Sequence, residues 1–291
     1  MTVCIVWGST YLAIRIGVGH VPPALLAGVR FTIAGVILLA FARMTGRPLP
    51  RRPADWITNA IVGILLLAVA NGLVVWSEQY VASGVAAIFV VTMTLWLAFF
   101  DAVIPGSTSR PTATQVVGLL LGFAGTVLLV GGDVASLRHA DWRGPIGLTI
   151  APMAWALGSV YAKRHPMSSG PHVSSGLQML AGGIVLLVVA TAAGEWPAFH
   201  LTAAGAGAIA YLVVMGSLVG YSSYMYVLKH LSPTITGTYT YINTVVAVLL
   251  GWAILGETVT GRTLLAMVLV VGSVMWVRRG RKQAVISGNG R

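Results

Sequence analysis

Charge is scarce in this chain. Of 291 residues, 9% are charged and 57% are apolar, whereas a soluble domain carries about 25% charged residues. Mean hydropathy is +0.86. That scarcity excludes a soluble globular enzyme and a disordered chain. Cysteine is scarcer still: Cys4 stands alone, so no intrachain disulfide can form. No Walker A, HExxH or GxSxG pattern occurs, and no two histidines share one helix at zinc-ligand spacing. ATP hydrolysis by the P-loop route, a bound metal and a cofactor are therefore not expected. Strict polar–apolar alternation is also missing, which excludes an outer-membrane barrel.

What the chain has instead is long apolar runs. A transmembrane helix needs roughly 20 mostly apolar residues. Ten windows qualify, near 2–18, 23–43, 56–76, 84–104, 112–131, 145–163, 173–194, 201–222, 234–255 and 262–278. Turn chemistry separates them, at Pro22-Pro23, Gly46-Arg47-Pro48, Pro105-Gly106, Gly131-Gly132-Asp133, His165-Pro166, Gly194-Glu195-Trp196-Pro197 and Ser232-Pro233. The first window has no basic flank and no cleavage-type site, so it reads as a retained span rather than a signal peptide. Its shortness leaves room for residues upstream of Met1.

The excess of 18 Lys and Arg over 7 Asp and Glu, a formal charge of +11, suggests nucleic acid until the charges are sorted by loop. Thirteen fall on the side holding both termini: Arg43, Arg47, Arg51, Arg52, Arg110, Lys163, Arg164, Lys229, Arg278, Arg279, Arg281, Lys282 and Arg291. Three fall opposite, at Arg138, Arg143 and Arg262, and Arg15 and Arg30 lie inside spans. The positive-inside rule makes both termini cytoplasmic. The positive charge is thus a topological address, and no nucleic-acid partner is expected.

The two halves overlay at a nearly constant offset. At 150, Gly8-Ser9-Thr10-Tyr11 falls on Gly158-Ser159-Val160-Tyr161, Pro105-Gly106-Ser107-Thr108 on Leu255-Gly256-Glu257-Thr258, and Gly122 on Gly272. At 148, Pro23 falls on Pro171 and Gly35 on Gly183. Five spans per half is an odd number, so the second half enters the bilayer from the opposite side. The expected fold is an all-α integral membrane protein of ten transmembrane helices in two inverted five-helix repeats. The expected domains are 1–131, 144–279 and a basic tail at 280–291. Secondary transporters recurrently use this architecture, with the substrate site near mid-membrane between the halves.

The opening WGSTYLAIRIG (7–17) and the block LSPTITGTYTYINTVVAVLLGWAILGETVT (231–260), followed by GRTLLAMVLVVGSVM (261–275), resemble the EamA-domain branch of the drug/metabolite transporter superfamily. YVASGVAAIFVVTMTLWLAFFDAVIPGSTS (80–109) resembles a more divergent first copy. The resemblance implies export of amino acids, including aromatic ones, or of other small metabolites or drugs across a bacterial inner membrane. Two positions depart from the family pattern. Gly106-Ser107 stands where the second half has Gly256-Glu257, and Met93 and Asn243 stand where a mid-helix proline is common.

Ionisable groups inside a bilayer are costly and mark function or pairing. Arg30 lies about a third of the way into its span, where snorkelling is hardest; Arg15 and Glu78 lie nearer the same end. Two readings stand: a substrate carboxylate meets Arg30 or Arg15, with Glu78 as the resting counter-ion, or these charges form a structural ion pair near the outer interface or snorkel to headgroups. The seven carboxylates, Asp55, Glu78, Asp101, Asp133, Asp141, Glu195 and Glu257, all sit in loops or near span ends. The expected mode is therefore facilitated efflux by alternating access; a proton-coupled drug or metabolite exporter and an exchanger of phosphorylated metabolites are the alternatives. Candidate cavity residues are Trp7, Tyr11, Arg30, Trp76, Glu78, Tyr80, Thr92, Trp96, Trp155, Tyr221, Tyr239 and Asn243. An aromatic lining with a few amide and hydroxyl groups suits an amphipathic solute. Gly118-x-x-x-Gly122 and Gly216-x-x-x-Gly220 are small-residue faces for close helix packing, and the chain is expected as a monomer or weak homodimer in the lipid bilayer.

Overall fold

The computed structural model describes the backbone of residues 2–81, 83–105, 111–130, 141–255 and 260–288. These residues form ten helical rods and, among the described residues, no strand. They are α1 (Thr2–Val18), α2 (Pro23–Met44), α3 (Pro53–Ser77), α4 (Ser83–Val91 and Met93–Val103), α5 (Ala113–Val130), α6 (Arg143–Arg164), α7 (Pro171–Ala192), α8 (Ala203–His230), α9 (Pro233–Gly237 and Tyr239–Leu255) and α10 (Gly261–Gly288). Five of them, α2, α3, α6, α7 and α8, are individually long and apolar enough to cross a membrane. Leu12, Ile33, Val36, Ile37, Val188 and Val268 are exposed along the rods, as a lipid-facing surface requires.

The packing has the symmetry of a duplicated unit. α2 lies against α7 and α5 against α10. α1 packs on α8 and α9, while α6 packs on α3 and α4. Exchanging each helix with its counterpart five places on maps this pattern onto itself. Individual residues obey the same exchange. A Cβ at Gly35 would sit 2.9 Å from the Gly176 carbonyl and the Leu180 side chain, and one at Gly183 would crowd Thr32 and the Gly28 carbonyl at 3.1 Å. Both glycines let α2 and α7 approach backbone to backbone. The isologous contact spans the offset of 148 read from Pro23 and Pro171.

Local irregularities repeat as well. α2 ends at Gly46 (φ 72°) and α7 at Gly194 (φ 69°), the two positive-φ glycines among the described residues. Each closes a Schellman motif: Gly46 N–H donates to the Arg43 carbonyl and Arg47 N–H to Ala42, as Gly194 does to Thr191 and Glu195 to Ala190. α3 carries a π-helical stretch at Ile64–Asn71 and α8 one at Leu212–Tyr221. α4 breaks at Thr92 and α9 at Thr238. Three residue pairs join the two halves at the centre: Trp7 with Trp155, which the 148 offset relates, Met93 with Tyr239, and Thr94 with Thr240. They mark the pseudo-twofold axis.

The small-residue face of α5 serves the protein's own interior. Gly118 and Gly122 pack on Val277, Ser273 and Tyr241. Glu195 reaches across the halves and accepts the Ala24 and Leu25 N–H groups at 3.3 and 2.9 Å, placing a carboxylate at the positive end of α2. The two loops carrying Gly106-Ser107 and Gly256-Glu257 lie outside the described residues.

Candidate functional site

A cavity of about 80 Å³ lies at the pseudo-twofold axis, room for several water molecules. Four of the sequence candidates converge on it with an aromatic face. Trp7 of α1 sits at its centre, with ring centroids 5.3 Å from Trp155, 5.4 Å from Tyr224 and 5.2 Å from Tyr239. Trp155 meets Tyr221 at 6.4 Å. Most of these contacts are edge-to-face, the geometry the ring quadrupole favours. Trp7, Trp155, Tyr221 and Tyr239 all line the cavity.

Helix irregularity provides the polar anchors. A π-helical stretch shifts the hydrogen-bond ladder and frees carbonyls. In α8 the carbonyl of Gly216, inside that stretch, accepts the Trp7 indole N–H at 2.9 Å. In α6 the interior Pro152, also on the cavity wall, removes one ladder donor. Asn243 of α9 lines the wall with its amide nitrogen turned toward the carbonyls of Tyr239 and Cys4, at 3.2 and 2.7 Å. Tyr224, buried behind the ring cluster, shares a 2.7 Å hydrogen bond with Ser159.

The charged element is Arg30. It is 4% exposed and reaches the cavity from α2. Its Nη2 donates to Asn71 Oδ1 at 2.5 Å, and its guanidinium lies 4.3 Å from the Phe31 ring centre. Its Nε has no hydrogen-bond acceptor among the described residues. A buried guanidinium with spare donor capacity is built to take a carboxylate or other acceptor. Among the described residues, no Asp or Glu lines the cavity.

The direct partner of Arg30 is Asn71; Glu78, the expected counter-ion, makes no contact ion pair with it among the described residues but lies within electrostatic range of both Arg30 and Arg15. Glu78 caps the end of α3, seven residues beyond Asn71 and about 10 Å further along the axis. Glu78 is itself buried, with neither carboxylate oxygen hydrogen-bonded among the described residues. Trp76 and Tyr80 meet edge to face at 5.1 Å at the same end of α3, and Arg143 covers the Tyr80 ring at 4.8 Å. Thr92 forms the break in α4, donating to the Phe89 carbonyl at 2.5 Å. Trp96 stacks on Phe100 at 5.9 Å. None of Trp76, Glu78, Tyr80, Thr92 or Trp96 reaches the cavity wall. The Tyr11 side chain lies outside the described residues.

The sequence reading passed over Asn71, Met93, Pro152 and Gln178. Gln178 was available from the 148 offset, which carries Arg30 onto it. Gln178, on α7, accepts a 2.8 Å hydrogen bond from Tyr221 and donates to Asn59 Oδ1 at 3.0 Å. The Arg30–Asn71 pair (α2 to α3) thus has a second-half counterpart in Gln178–Tyr221 (α7 to α8).

Ten apolar rods, a pseudo-twofold axis between two halves and, on that axis, an aromatic cavity with a few polar anchors define a membrane transporter. The sequence matches the model of the EamA-like transporter family over residues 1–131 and 142–279, and the chain belongs to that family. It is 39% identical to the "Uncharacterized inner membrane transporter YedA" of Escherichia coli K12, over 95% of this chain and 88% of that protein. It is 27% identical to "Protein PecM" of Dickeya dadantii, over 94% and 89% of the two chains. A solved structure described only as "Crystal structure of protein" superposes with a TM-score of 0.79 at 22% identity, covering 97% of this chain and 96% of that one; that likeness concerns the fold.

Proposed function

We propose that the protein exports amino acids, aromatic and other hydrophobic ones among them, or closely related small metabolites, across the bacterial inner membrane. Both termini face the cytoplasm, and the two halves alternate access to the axial cavity. The observation that carries this reading is the juxtaposition of the Arg30 guanidinium with the Trp7–Trp155–Tyr239 aromatic wall in one cavity. A carboxylate satisfies the first and an apolar side chain the second. A phosphorylated solute would call for several cations, and Arg30 is the one Lys or Arg on the described wall. Transport is facilitated: with no carboxylate on that wall, a proton has no titratable carrier beside the solute. The experiment is uptake of radiolabelled amino acids into proteoliposomes holding the full chain, with and without an imposed pH gradient. Accumulation that equilibrates without the gradient and is competed by unlabelled aromatic amino acids supports the reading; strict dependence on the gradient overturns the facilitated mode.

Glu78 favours a second reading, proton-coupled export. A buried carboxylate with no hydrogen-bond donor, offset only at a distance by Arg15 and Arg30, is costly as an anion. Glu78→Gln separates the two: gradient-driven accumulation that disappears in this variant establishes coupling, and equal transport by both proteins dismisses it.

A further inference from the structure

A second cavity, of about 280 Å³, lies where α6 ends and α7 begins, at the end of the bundle that holds the start of α1. Lys163, Met167, Ser169, Ser174, Met225 and Lys229 are on its wall. Lys163 Nζ is tied to the carbonyls of Leu228 and Lys229 at 3.0 and 2.7 Å. Two lysines and, among the described residues, no carboxylate are on the wall, with Asp55 and Asp101 just behind it.

Gln178 stands between this cavity and the axial one. On one side it accepts from Tyr221, which lines the axial cavity. On the other its Nε2 lies 3.7 Å from the sulfur of Met167, which lines the second cavity. The same Nε2 donates to Asn59, whose amide in turn donates to the Asp55 carbonyl at 2.7 Å. The Asp55 carboxylate accepts from both the backbone N–H and the hydroxyl of Ser168, in the α6–α7 connection. Tyr221, Gln178 and Asn59 are each no more than 1% exposed.

We propose that the second cavity is the vestibule through which the solute reaches the axial site from the end bearing the termini, and that the Tyr221–Gln178–Asn59 chain is the gate between them. The inference rests on the reading of the protein as a transporter. Three features support it. The chain is neutral, so opening it moves no charge through an apolar layer. The Met167 thioether beside it is flexible enough to repack. The inverted repeat supplies the third: in the equivalent pair both Arg30 and Asn71 line the axial cavity, whereas here Tyr221 lines it and Gln178 behind it is fully buried. Rocking of the halves exchanges their conformations, so sealing one pair goes with opening the other. The vestibule's lysines favour a solute bearing a carboxylate.

The test reads accessibility and needs no transported solute. In full-length protein lacking Cys4 (Cys4→Ser), Ser169→Cys reports the vestibule and Ala70→Cys the axial cavity. A membrane-impermeant methanethiosulfonate is applied to oriented vesicles from the face bearing the termini. Ser169→Cys is expected to react in every background. Ala70→Cys is expected to react from that face at least roughly tenfold faster when Gln178→Leu or Tyr221→Phe opens the gate. Tyr221→Phe loses only a hydroxyl, so the question survives a folding failure of Gln178→Leu. An unchanged Ala70→Cys rate in both backgrounds overturns the gate, and an unreactive Ser169→Cys overturns the vestibule. Labelling that responds as expected in a protein that moves no amino acid leaves the gate standing and removes the solute assignment.

Discussion

Arg30 with Asn71, and Gln178 with Tyr221, occupy equivalent places in the two halves, and the structure treats them differently. The first pair carries a charge and forms part of the cavity wall. The second is neutral, gives only Tyr221 to that wall, and keeps Gln178 fully buried and locked further by Asn59. The surrounding scaffold is nearly the same for both: matched glycine crossings, matched Schellman turns and matched π-helical stretches. Duplication has preserved backbone geometry while the side chains at the two ends have taken separate tasks. One end presents a donor-rich grip and the other a neutral seal.

The largest expected effect comes from erasing that difference. Gln178→Arg places a charge where only neutral partners exist; a charged residue within a transmembrane helix costs about 3 kcal/mol. Thermal unfolding in detergent is expected to fall accordingly, and unchanged stability would show that the second pair tolerates charge as the first does. Arg30→Gln makes the opposite change. Hydrogen bonds to charged groups contribute about 2 kcal/mol, so half-saturation for the exported solute is expected to rise about thirtyfold with little change in yield, as read in proteoliposome transport. Tyr221→Phe removes one interhelical hydrogen bond, about 0.6 kcal/mol in a membrane protein. A small downward shift in unfolding temperature is expected, alongside the change in accessibility described above.

The smallest effect belongs to an ion pair that takes no part in the comparison. Asp141 and Arg143 meet at 2.6 Å on the surface. Hydrogen bonds from Arg143 hold the Asp141 carboxyl below its ordinary range. A lowered carboxyl pKa stabilises the fold at neutral pH, and the contribution disappears as pH falls through that lowered value. Because the pair is solvated, Asp141→Asn is expected to leave both transport and the unfolding midpoint unchanged at pH 7. A measurable loss would show that the loop before α6 matters to the cavity.

The ten spans and their inverted duplication were legible because apolar length and the positions of Gly and Pro are written locally in the chain. Pro23 and Pro171, and Gly35 and Gly183, announce the offset, and the structure pairs those regions face to face. Trp7, Arg30, Trp155, Tyr221, Tyr239 and Asn243 were found among the polar and aromatic residues at depth, and the structure gathers all six on one wall. Trp76, Tyr80, Thr92 and Trp96 were equally eligible by type and depth. Which face of a helix turns toward the axis depends on how rods cross, and the mean period of an all-apolar helix carries little of that information. The π-helical stretches blurred it further, because each shifts the register of every residue beyond it. Glu78 and Arg30 share one end of the bundle, yet the shorter reach of Asn71 on the same face of α3 decided the pairing. Gln178 was missed because an amide in an apolar run attracts less notice than a charge.

The central claim is that Arg30 reads a carboxylate while the aromatic wall reads an apolar side chain. Its most direct test is competition against labelled L-phenylalanine counterflow in proteoliposomes. The competitors are unlabelled L-phenylalanine and phenethylamine, which keeps the ring and lacks the carboxylate. The account predicts that the amino acid competes and the amine does not in the parent protein, and that the two become equal in Arg30→Gln. Equal competition by both compounds in the parent protein would contradict it.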